Sequence, residues 1–149
     1  MRVCQDPVIY PCKDMKTSKI YEFNPIIYPT RLWVSICPSF EKLDKQFYFL
    51  NEDGEVVDNA RDEFSKHMSA VATTFLVAHR KSGWKGCFVV IWRRKECGAG
   101  ICAHEATHVV DWISDELGIG GYTFLDGEAR AYLAQWVANN IDKVLRGRV

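Results

Sequence analysis

Residues 86–92, GCFVVIW, make a short and almost unbroken apolar run. Such a run, bounded by charged segments, reads as a strand on the inside of a sheet. An inner strand needs partners, and the sequence offers them upstream. Residues 19–40, KIYEFNPIIYPTRLWVSICPSF, are dense in β-branched and aromatic side chains and punctuated by Pro25, Pro29 and Pro38. Proline cannot donate to a ladder, so one or two short strands are expected here, the better one at 31–37. Residues 45–58, KQFYFLNEDGEVVD, place two apolar runs around a turn in which Gly54 can take a positive φ.

Three helices complete the expected set. The first spans 59–83, capped by Asp58 or Asn59, with Phe64, Met68, Val71, Ala72, Phe75 and Leu76 at three- and four-residue spacing. The second runs from about Gly98 to Leu117. The third runs from about Gly127 to Leu145, with Tyr132, Leu133, Trp136, Val137, Ile141 and Val144 on one face. The order strands, helix, strand, helix, helix predicts an α+β fold in which a small mixed sheet of three to four strands packs against three main helices. No repeat or linker divides residues 1–149, so one domain is expected, with 1–25 as an irregular arm and a short strand at PVIY within it.

Composition narrows what such a domain can do. Nineteen basic and nineteen acidic side chains cancel, which argues against nucleic acid and anionic membrane surfaces as partners. No stretch approaches the roughly 20 apolar residues of a membrane span. The six cysteines form no CxxC pair, and no signal-peptide core precedes them. Reduced thiols in a cytoplasmic protein are therefore expected, with a Cys4–Cys12 bridge as the alternative.

The chemistry concentrates in GICAHEATHVVDWISDELG, residues 100–118. Residues four apart on a helix share a face, so His104 and His108 can direct two imidazoles at one cation, each at about 2.0–2.1 Å for zinc. Glu105 lies about 100° further around the axis, where it can reach a zinc-bound water as general base. A catalytic zinc needs a third protein ligand. Glu128, opening the helix after a glycine-rich turn, is the preferred candidate, and Asp126 is the competitor with a helix-capping role. Asp111 is placed to orient His108 or to face solvent. Tyr122, Tyr132 and Arg130 are candidates for the donor that stabilises the oxyanion, with Tyr122 first. Cys102 is expected to serve helix packing, turned away from the histidine face, and His67 and His79 to lie at or near the surface.

HEATH followed by GEARAYLAQW resembles the gluzincin branch of HExxH zinc metallopeptidases, including the small minigluzincins, and is similar to short HExxH proteins of phages and prophages. The resemblance covers roughly residues 26–140 and rests on 98–136. It implies a zincin-like fold, with His104, His108 and Glu128 as zinc ligands, Glu105 as general base, and a bacterial, phage-derived setting. Thermolysin-like members carry an aspartate four residues after the ligand glutamate. Tyr132 stands there in this chain, so the surroundings of the first histidine must differ. The activity implied is hydrolysis of peptide bonds in a peptide or protein substrate. Strand addition would let that substrate lie extended along an exposed edge, with 31–37 and 86–93 as the candidates. The alternative is an interaction protein that a metal stabilises without turnover.

Overall fold

The computed structural model describes residue 12, residues 18–118 and residues 127–149. Five strands form one mixed sheet: β1 Ile20–Phe23, β2 Arg31–Ile36, β3 Phe47–Leu50, β4 Ala72–His79 and β5 Lys85–Ile91. Their order is β1-β2-β5-β4-β3. All neighbours are antiparallel except β2 and β5, which run parallel. Four α-helices accompany them: α1 Phe40–Asp44, α2 Ala60–Lys66, α3 Ala99–Leu117 and α4 Glu128–Leu145. The mixed α+β class agrees with the sequence reading.

β5 is the inner strand that its apolar run predicts. Cys87, Val89 and Ile91 point to one face, where they meet Leu32, Val34 and the buried stripes of α3 and α4. Phe88, Val90 and Trp92 point to the other, against Leu43 of α1, Phe64 of α2 and the rings of Trp33, Phe47 and Phe75. Every residue from Cys87 to Trp92 is at most 1% exposed, which explains why the segment has no polar alternation. Gly86 begins this strand opposite Arg31. A Cβ there would stand 2.0 Å from the Arg31 carbonyl oxygen, so only glycine lets β2 and β5 approach.

Several expectations need correction. The helix expected over 59–83 is two elements, α2 and β4. Its apolar residues satisfy helical spacing, but Val71, Thr73, Thr74 and Val77 are β-branched and fit an inner strand better. Helical periodicity alone could not separate the two. With β4, and with β1 in the expected arm, the described residues form a sheet of five strands in place of three to four, and their α-helices are two long and two short. The arm expected over 1–25 contains β1, which pairs with β2 from Ile20↔Ser35 to Phe23↔Leu32. The expected hairpin keeps its turn, with Gly54 at φ 78°, but its second arm is reduced to a single bridge between Leu50 and Val56. Cys12 and Cys37 are joined in a disulfide, whereas reduced thiols or a Cys4–Cys12 pair were expected. Among the described residues Cys87, Cys97 and Cys102 are free thiols. The PVIY segment and Cys4 lie outside the described residues. No helix among the described residues is long and apolar enough to cross a membrane.

Candidate metal and catalytic site

α3 presents two faces with different tasks. Cys102, Ala106, Val109, Val110 and Ile113 are buried on the sheet side, at the three- and four-residue spacing of a packed helix. Glu105 lies within that buried stripe, only 4% exposed. A carboxylate there costs free energy unless polar partners receive it. Thr74 of β4 supplies one, its Oγ1 donating to Glu105 Oε2 at 2.5 Å. His104 and His108 face outward from the same helix, with their Nε2 atoms 3.1 Å apart and ring planes at 79°. Two nitrogens bound to one tetrahedral zinc at about 2.0–2.1 Å each would stand roughly 3.3 Å apart. The imidazole pair therefore fits one shared cation.

Among the described residues no third donor joins this arrangement, and no group of three or more of their His, Cys, Asp or Glu side chains could hold a metal. Glu128 is the first residue of α4 and is exposed. Two residues on, Arg130 Nη2 donates to Asp111 Oδ1 at 2.6 Å, tying the first turn of α4 to α3 one turn beyond His108. Asp111 thus pairs with Arg130, and no hydrogen bond from it to His108 is seen. Tyr132 is 67% exposed. Tyr122 and Asp126 lie outside the described residues. His67 and His79 are half-buried, and Cys102 packs in the core as expected.

His104, Glu105 and His108 open into a cavity of about 1030 Å³ between α3 and the β3–β4 side of the sheet. Trp112, Asp115 and Glu116 continue its helix wall, and Ala72 to Leu76 form its strand wall. That strand wall is a sheet edge. β3 pairs with β4 only from Phe47↔His79 to Leu50↔Leu76, and no described strand continues past that point. Backbone groups of Val71 and His79 face β5, bonding Trp92 N and Trp84 O respectively. By alternation, the N–H and C=O of Ala72 and Thr74 face the cavity. The strands at 31–37 and 86–93, expected as candidate edges, are both interior. Thr74 and the 72–75 edge were missed in the sequence because this segment reads as helix.

A scan against protein-family models, a search of curated proteins and a search of solved structures each returned no match.

Proposed function

We propose that this protein is a zinc-dependent peptidase, zincin-like in architecture, that cleaves an extended peptide lying along the β4 edge. The observation that carries this reading is the convergence of three groups on one cavity wall. Two imidazole nitrogens lie within a shared-ligand distance, and the adjacent buried carboxylate is oriented by Thr74. A bound zinc would polarise the scissile carbonyl and make water a competent nucleophile near neutral pH. His104 and His108 would hold it, with Glu128 as the third ligand. The Arg130–Asp111 ion pair supports that choice by holding the first turn of α4 against α3 near His108.

Glu105 would take the proton from the attacking water and pass it to the leaving nitrogen. Its burial keeps it from bulk solvent, and the Thr74 hydroxyl fixes which oxygen remains free for that task. The N–H and C=O groups of Ala72 and Thr74, which meet no described strand on the cavity side, would bind the substrate backbone as an added strand. Tyr122 is proposed as the oxyanion donor beside the metal.

The test is Glu105→Gln. Zinc binding measured by calorimetry is expected to persist, while cleavage of a peptide library by the zinc-loaded protein is lost by at least about a hundredfold, the scale of general-base contributions. Wild type that binds zinc and cleaves nothing would instead favour a metal-stabilised interaction protein. Glu128→Gln is expected to weaken zinc binding by at least about tenfold and His104→Ala to abolish it. Unchanged affinity in Glu128→Gln would remove that residue from the ligand set.

A further inference from the structure

The lane beside β4 is closed at one end. β3 fills it as far as Leu50, opposite Leu76. Asn51 and Glu52 line the cavity at this end before the chain turns outward, with the N–H groups of Asp53 and Glu55 donating to Asn51 Oδ1 at 3.0 and 2.9 Å. The chain returns along the outer side of β3, where Val57 N–H donates to Phe49 O. Thr74, which marks the position of Glu105, is two residues from Leu76, about 7 Å along the strand. An added strand therefore has room for only one or two residues on this side of the catalytic groups.

Direction follows from charge. A peptide antiparallel to β4 runs as β3 does and brings its amino end to the closed end, whereas a parallel peptide would bring its carboxylate there. Glu52 in the turn and Glu116 on α3 border both the main cavity and the small recess beside it, and Asp115 and Glu63 add to the main cavity. Among the described residues no Lys or Arg lines the main cavity; Lys85 borders the recess of about 100 Å³. Asp115 and Glu116 also sit in the last three residues of α3, at the negative end of its dipole, and no basic residue occupies that turn. A carboxyl terminus would be repelled here and an ammonium attracted.

We propose that the cleft takes peptides by their free amino terminus and releases one or two residues per cut, with the ammonium received by the carboxylates of Glu52 and Glu116. The proposal rests on the peptidase reading for its chemistry. In each cut the amide C–N bond breaks while water gives its oxygen to the acyl carbon and a proton to the leaving nitrogen. The shortened peptide carries a new amino terminus and can enter again.

The test compares one neutral, C-terminally amidated oligopeptide with a free and with an acetylated amino terminus, on the full zinc-loaded chain. Binding is read by fluorescence anisotropy on the Glu105→Gln variant, and products of wild type by mass spectrometry. The free form is expected to bind about tenfold more tightly at low salt, the scale of a well-placed charge pair. Glu116→Lys is expected to erase that margin, and wild-type products to shorten from the amino end. Equal or tighter binding of the acetylated peptide overturns the proposal, as does internal cleavage of it. An acetylated peptide with lysine in first place that binds as well as the free form also overturns it, since charge alone would then suffice. If Glu105→Gln shows the preference but wild type cuts neither peptide, hydrolysis fails and amino-terminal recognition stands. If wild type cuts both alike, hydrolysis stands and this proposal fails.

Discussion

Replacing Thr74 with valine would keep the outline of the side chain and delete the hydroxyl that serves Glu105. The buried carboxylate would lose a hydrogen bond to a charged acceptor, and stability is expected to fall by about 2 kcal/mol, read from urea unfolding. Thr74→Ser, which restores the donor, is expected to recover most of that loss. Equal stability of the valine variant would mean that Oε2 finds another partner at no cost. This residue illustrates where sequence reading stops. His104, Glu105 and His108 are legible because helical geometry fixes their relation within five residues. Thr74 lies 31 residues earlier and joins them only through the packing of β4 against α3, which no local spacing encodes. The Asp111–Arg130 pair is equally silent in sequence, since it depends on how α4 docks.

At the level of elements, β5 and α3 were legible for opposite reasons. The first is too apolar to lie anywhere but inside, and the second has an unambiguous helical stripe. β4 was not, because its apolar residues suit both periods and only their β-branched character leans towards a strand. The short helix α2 stops at Lys66, and the turn through Met68 and Ala70 separates it from the strand with no proline or glycine to announce the break. The pairing of β2 with β5 can be challenged directly. Gly86→Ala would drive a methyl into the Arg31 carbonyl, and both are backbone-bound, so neither can swing aside. A loss of about 3 kcal/mol is expected, at the upper end of ordinary overpacking, with the thermal midpoint as readout. A neutral result would show that the two strands separate easily.

At the scale of the molecule, two cores sit on opposite faces of one sheet, and the Cys12–Cys37 bridge ties the amino-terminal region to the end of β2. Closing a loop of 25 residues' separation is worth about 3.5 kcal/mol in the chain-entropy account. Reduction is expected to lower the urea midpoint correspondingly, and a midpoint indifferent to reductant would show that the bridge does not constrain the unfolded chain. The free thiols give a second, pH-dependent signature. Burial pushes the Cys87 thiol well above its ordinary value of 9.0. Burial, with Cys102 and Glu105 beside it, pushes Cys97 up to about 12. In the unfolded chain both ionise near 9, so it binds fewer protons than the folded one above that pH. Stability is therefore expected to hold below pH 9 and to decline as pH climbs through 10 and 11. Cys87→Ala should flatten the decline, and an unaltered slope would remove Cys87 as its source.

The parallel contact between β2 and β5 also sets an order of assembly. β4 and β5 are joined by a short turn and can zip as a hairpin on the microsecond scale. β2 must wait for its partner to emerge about fifty residues later, and the closure entropy of that intervening chain opposes it. Mutations in the β4–β5 ribbon should therefore slow refolding, whereas mutations in β2 should mainly hasten unfolding. The wall of the cleft would then exist before the sheet that supports it is complete.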